Sequence, residues 1–235
     1  ITFPPEEFNG VCLSGMCVPD LKGTQGSFTF WTTDPALSGP DAGGDVFMVG
    51  RSGDTMRCPI TGPQDPSANE ISPMRVPMRI DVLTENEKIR LTIGAKGKEQ
   101  VIELGVKDYS EWVTLEFKSK QGKAKITGIA RFYCMGTGPE FGLYMTPINI
   151  DPSNPAMPIA YPTVYSIYLA KKHGPFATLG LAEDTWALNE RVIDEEAFWK
   201  QALNIWQERR LQLFDALEKT PKGSVVCVFD GTDRV

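Results

Sequence analysis

Histidine is almost absent: His173 is the only one in 235 residues. It stands in the last turn of a predicted helix, where a positive or hydrogen-bonding side chain meets free carbonyls, so it reads as a capping residue and not as a triad member. Long apolar runs are missing too. The longest, such as residues 225–229, fall far short of the roughly 20 residues of a membrane-spanning helix, and no charged-then-apolar leader opens the sequence. Nor is there a Lys/Arg-rich tract interleaved with aromatics. A net charge of -6 and a pI near 5.0 give no basic footprint, which excludes nucleic acid as a bulk polyanion. The five cysteines are odd in number and irregularly spaced, so they are not a disulfide framework. Cys134 and Cys227 lie in apolar runs where a reduced thiol behaves as a small hydrophobe, which favours a reducing, cytoplasmic compartment. No second Cys/His pair accompanies Cys12 and Cys17 to complete a zinc site. Internal repeats and low-complexity segments are lacking as well.

What is present suffices for a globular protein: 41% of residues are hydrophobic and 23% charged, enough to bury one or two cores. The first residue, Ile1, and the unfinished run at 229–235 read as cuts, so an interior piece of a longer chain is expected. Three textures succeed one another. Residues 1–26 hold a Pro-rich opening and a glycine-bounded apolar stretch, 10–15, expected as a buried strand of a core α/β segment. Residues 27–147 carry short predicted strands at 76–84, 88–93, 99–104, 111–118 and 124–135. In one of them Ile89, Leu91 and Ile93 share a face opposite Lys88, Arg90 and Thr92. Turn-like Glu85-Asn86 and Gly94-Ala95-Lys96-Gly97 set hairpin spacing, so a mostly antiparallel inserted β-sandwich is expected.

Residues 148–235 turn helical. Pro162 opens a helix that Gly174 closes, and Asp194 is a good N-cap for a second helix whose Glu195 and Glu196 complement the helix dipole. Its apolar stripe, Trp199, Leu203, Trp206, Leu213 and Leu217, is expected in the core, with Glu196 and Lys200 paired on the wet side. Residues 224–229 then read as a strand apolar on both faces, the kind covered by helices on either side of a sheet. In such sheets sites lie past the carboxyl ends of strands, which makes Asp233 a candidate; a loop-capping role is equally open from position alone. Glu183, Asp184 and Thr185 form an acidic loop that either borders a substrate entrance or caps a turn. Asp20 reads as a turn residue.

The run Phe229-Asp230-Gly231-Thr232-Asp233-Arg234-Val235 resembles the metal-binding motif of the phosphohydrolase/phosphomutase branch of the alkaline phosphatase superfamily, related to type I phosphodiesterase/nucleotide pyrophosphatases. There the motif reads Thr-Asp-Arg-x-Gln-His, and its Asp and His both bind a catalytic metal; Asp233 matches the Asp, and the His would fall beyond Val235. Thr2-Phe3-Pro4-Pro5-Glu6-Glu7, Leu13-Ser14-Gly15-Met16, Val18-Pro19-Asp20, Pro147-Ile148-Asn149-Ile150-Asp151-Pro152 and Gly180-Leu181-Ala182-Glu183-Asp184-Thr185 are similar to further family stretches in the same order. The resemblance implies an αβα sandwich carrying the β-sandwich insertion, and a metal-dependent phosphoric ester hydrolase acting on a small-molecule phosphate ester through a phospho-enzyme. It also implies two divalent ions, zinc or manganese, with Asp233 as a ligand; Arg234 beside it either contacts the phosphate or forms a sheet-edge salt bridge. The nucleophile and remaining ligands would lie outside this chain. Two alternatives stand beside it: a β-sandwich ligand-binding or oligomerising module using aromatics such as Trp31 and Trp112, and phosphomutase or sulfatase chemistry on the same fold.

Overall fold

The computed structural model describes residues 3–7, 9–37, 43–122 and 124–231. Thirteen strands run in the order β1 (Cys12–Leu13), β2 (Thr29–Thr32), β3 (Asp45–Met48), β4 (Thr55–Gln64), β5 (Pro73–Leu83), β6 (Lys88–Ile93), β7 (Gln100–Gly105), β8 (Val113–Lys118), β9 (Lys125–Ala130), β10 (Phe132–Gly136), β11 (Gly142–Met145), β12 (Asn149–Ile150) and β13 (Ala160–Tyr161). Three helices follow: α1 (Val164–His173), α2 (Thr185–Asn189) and α3 (Glu195–Lys219). The protein is thus mixed α and β, with mostly antiparallel sheets and few helices.

Alternation along the strands builds the main core. In β5, Met74, Val76, Met78, Ile80 and Val82 are buried while Arg75, Pro77 and Arg79 face water. Ile89, Leu91 and Ile93 of β6 and Val113, Leu115 and Phe117 of β8 are buried in the same way. Each such side chain contributes roughly 1.5 to 3 kcal/mol by leaving water, so the period-2 pattern fixes which face turns inward. Strands β4 to β7 form one antiparallel meander; β12, β9 and β8 form a second sheet, and β10, β11, β2 and β3 a third, in which only β2 and β3 run parallel. At the β6–β7 turn, Gly94 and Gly97 take φ of 120° and 84°, backbone that side chains resist. Gly62 is required for a different reason: a Cβ there would lie 2.2 Å from the Phe117 ring, so the bare backbone of β4 lets that ring fill the core.

This core continues from Val18 and Leu21 through the strands to Ile148, Ile150 and Ile159. A second cluster joins the sheets to the helices, with Phe28, Phe30, Tyr133 and Tyr144 against Ala187, Val192, Ile193, Ala197 and Phe198. Asp194 caps α3 by accepting from the Ala197 N–H at 2.8 Å, and Glu196 pairs with Lys200 at 2.9 Å, both as the sequence predicts. Helix α1 ends at Gly174, whose N–H donates to the Ala170 carbonyl at 3.0 Å. His173 lies in the last turn of α1, its Nε2 3.5 Å from Asp215 Oδ1 on α3.

Three expectations are corrected. The stretch at 10–15 is not a buried strand: only Cys12–Leu13 pair, with β13 at the edge, and Val11 is exposed. The stripe of α3 through Trp199, Leu203, Trp206 and Leu217 faces water; the helix docks instead through Ala197, Phe198, Gln201, Ala202 and Ile205. Ala197 and Phe198 on that second face join the cluster of Phe28, Phe30, Tyr133 and Tyr144, which the stripe does not reach. Residues 224–229 form no strand, and Val226 is 72% exposed with Val228 and Cys227 also in solvent. A strand apolar on both faces needs a strand neighbour and two covering layers, and none of the described residues supplies them. Among the described residues no helix is long and apolar enough to cross a membrane.

Candidate functional site

Asp233 and Arg234 lie outside the described residues. The approach to them is described: Asp230 forms an ion pair with Arg209 of α3, which ties the end of the 224–230 segment to the helix. Glu183 and Asp184 stand together in the loop before α2, at a junction of three distant stretches.

Backbone hydrogen bonds make that junction. Leu21 N–H donates to the Ile148 carbonyl at 2.7 Å, and Gly180 N–H donates to the Val18 carbonyl at 2.9 Å. Asn149 Oδ1 accepts from the N–H groups of Thr178 and Leu179 at 2.7 and 2.9 Å. Gly180 must be glycine, because a Cβ would sit 2.5 Å from the backbone nitrogen of Cys17 and backbone cannot step aside. Asp20 is fully buried and locks its own turn by accepting from the N–H groups of Lys22, Thr24 and Ser27, each at 2.9 Å. The chain at 13–21, at 147–152 more than a hundred residues on, and at 178–185 beyond α1 therefore shares one seam.

Asp184 is a cap and a network centre. Its carboxylate accepts from the Ala187 N–H at 3.0 Å and from the Tyr144 hydroxyl at 2.7 Å. Gln201 of α3 accepts from the Asp184 N–H at 2.7 Å and donates to the Tyr144 hydroxyl oxygen at 3.2 Å. Burial pushes the Asp184 carboxyl up to about 6, against the hydrogen bonds from Ala187 and Tyr144 that favour the ion. Burial likewise raises the Tyr144 hydroxyl, with the Asp184 charge adding to it. Both oxygens of Asp184 are thus engaged within the protein. Glu183 is different: it is 3% exposed, and its Oε2 has no hydrogen-bond partner. It lines a small cleft with Gln25, Gly26, Pro147, Leu181 and Trp186.

The raised Asp184 value carries a testable sign. A folded-state pKa near 6 exceeds the unfolded value near 3.9, so the contribution is fully present below about pH 4 and is lost as pH rises through 6. Wild type should lose about 2 to 3 kcal/mol more than Asp184→Asn over that window, an order-of-magnitude figure from the shift. Urea titrations of both proteins from pH 4 to 7 read the difference, and parallel profiles would contradict it.

A second polar network ties the sheets to α3. Glu208 Oε1 accepts from the Trp112 indole N–H at 2.7 Å and from Arg131 Nη2 at 3.2 Å, while Oε2 accepts from the Ala177 N–H at 2.8 Å. Arg131 also lies over the Trp112 ring at 4.9 Å and donates to the Ser110 carbonyl. Burial raises the Glu208 carboxyl, while its hydrogen bonds and Arg131 pull the other way. Sequence periodicity gave no sign of this group or of Tyr144 and Gln201, whose partners are 17 to 96 positions away.

The aromatics expected to serve a binding sandwich are occupied. Trp31 is fully buried between Phe47 and Phe132, and Trp112 is held by Glu208 and Arg131. The exposed large aromatics are on the helices instead, Trp186, Trp199, Trp206 and Phe214. Among the described residues no group of three His, Cys, Asp or Glu side chains comes together to hold a metal. No family model, curated protein or solved structure matches the chain.

Proposed function

We propose that the chain is part of a metal-dependent phosphohydrolase of alkaline phosphatase type, acting on small phosphate esters through a phospho-enzyme. The observation that carries it is the seam: 18–20 and 180–185, each similar to a family stretch, meet through the Gly180–Val18 hydrogen bond, and the similar stretch at 147–152 joins their immediate neighbours through Leu21 to Ile148 and Thr178 to Asn149. The exposed apolar residues at 224–229 and along α3 support it further. An apolar segment and an apolar helix face left in water are what an αβα sandwich would cover from its remaining sheet and helices. In that arrangement Asp233 follows a strand at the ligand-bearing end of the sheet.

The described residues do not make a metal site by themselves, since Asp184 is saturated by Ala187 and Tyr144. In this reading metal binding falls to Asp233, the residue that matches the family's ligand, with partners supplied from elsewhere in a longer protein. Two divalent ions, zinc or manganese, would neutralise the charge of the phosphate ester and lower the pKa of an attacking hydroxyl. Arg234, next to Asp233 in sequence, would meet the phosphate in this reading, and Asp184 holds the seam by fixing α2 to Tyr144 and α3. Assays with aryl phosphate mono- and diesters plus zinc or manganese test the proposal. The chain alone should show no turnover, because one carboxylate cannot bind two metals or supply a nucleophile, whereas a longer protein containing it should turn over and lose activity to a chelator. Chelator-insensitive turnover, or none in the longer protein, would overturn it.

A further inference from the structure

The cleft at Glu183 has a feature that phosphate hydrolysis does not use. Asp20, Asp184 and Glu208 each accept a hydrogen bond from a backbone N–H group, and the buried Asp215 is met by Lys172 and Tyr168. Glu183 Oε2 accepts none, although the residue is 3% exposed. A buried carboxylate oxygen without a hydrogen bond is costly, and such a group is ordinarily met by a cation. Beside it, Leu181 and Pro147 give the cleft apolar walls, and the Trp186 indole stands 57% exposed at its rim.

We propose that this cleft binds an organic cation, a primary ammonium or a guanidinium group, with the Glu183 carboxylate as its ion partner and the Trp186 ring as its cation–π face. The chemistry of the walls selects that class. A divalent metal such as calcium takes six to eight oxygen ligands, and the adjacent Asp184 oxygens are already spent on Ala187 and Tyr144. One carboxylate between apolar walls and an exposed indole suits instead a cation whose charge is small and whose carbon stem is apolar. A cleft of about 30 Å³ holds about two waters, which suits an ammonium head or the edge of a guanidinium and leaves the stem outside. The proposal is independent of whether the protein hydrolyses phosphate esters.

Titration of the isotope-labelled chain with n-butylammonium chloride and with ethylguanidinium chloride, followed by amide NMR shifts, tests it. Both should give saturable shifts confined to residues around Glu183 and Trp186, and matched sodium or calcium chloride should not reproduce them. Glu183→Gln should weaken binding by about tenfold or more and Trp186→Ala by about threefold to fivefold, while the remote Glu218→Gln leaves it unchanged. Without any cation, Glu183→Gln should raise Tm by about 2 °C or more, because it removes an unpaired charge. Shifts that do not saturate, that persist in Glu183→Gln, or that only metal ions produce would overturn the proposal, as would a lowered Tm in Glu183→Gln.

Discussion

Replacing Asp233 by Ala in a longer, active protein is expected to remove a bound metal and to lower turnover by several orders of magnitude, while Tm changes little. Loss of a carboxylate that binds metal directly weakens the metal and removes a charge that organises the other ligands, and groups acting as a unit fail together. Stability should hold because, in the proposed arrangement, the segment at 224–229 would be kept by Val226 and Val228 once they are covered, not by the polar residues that follow. Asp230→Ala is the internal control. Asp230 is paired with Arg209, so its loss should loosen the junction with α3 and act far more mildly on turnover. Metal content, Tm and turnover for both variants decide the matter; an Asp233 variant with normal metal content and near-normal turnover contradicts the assignment.

The largest expected effect on stability belongs to Glu208. In Glu208→Ala the guanidinium of Arg131, whose side chain is only 14% exposed, loses its carboxylate, and the Trp112 indole and the Ala177 N–H lose their acceptor. Removing one partner of a largely buried pair leaves an uncompensated charge and typically costs about 3 to 5 kcal/mol. For a protein of this size that lowers Tm by about 6 °C or more. Glu208→Gln should cost less, since the amide oxygen can still accept from Trp112 or Arg131 while the charge attraction is lost. Denaturant titrations measure both. A loss below about 1 kcal/mol in the Ala variant would mean that water replaces the carboxylate at Arg131 without penalty.

Acid should act on a third group with the opposite sign to Asp184. Burial opposes ionisation of Asp215, but hydrogen bonds from Lys172 and Tyr168 and the nearby Lys219 outweigh it and hold its carboxyl down at about 2. Its contribution is therefore present above about pH 4 and is lost as pH falls towards 2. Asp215 ties α3 to α1, so contact between these two helices should weaken first on acidification, seen as early loss of amide protection in α1.

Much of the sheet was legible because its signal is local. In β5, β6 and β8 a single residue step decides inside from outside, so alternation names both the strand and its buried face. Asp194 was legible for the same reason, since a cap acts within three residues. Helix α3 shows where locality ends. It carries two apolar faces, and periodicity alone cannot say that Phe198 with its small neighbours docks while Trp199 and Trp206 stay out. Residues 224–229 show it again, because a two-faced apolar run specifies its covering only through partners elsewhere. The Glu208 and Tyr144 networks were invisible because their members meet only after the sheets and helices have packed. Asp184, by contrast, was visible as a possible cap, and the structure adds why it is buried: Tyr144 and Gln201 close over it.

Anomalous X-ray scattering at the zinc edge, from crystals of a longer protein that contains this chain and is loaded with zinc, tests the metal assignment most directly. A peak about 2.0 to 2.2 Å from a carboxylate oxygen of Asp233, with residues 224–229 paired inside a sheet, is the predicted result. A zinc-loaded, active protein in which Asp233 lies away from every peak would contradict it.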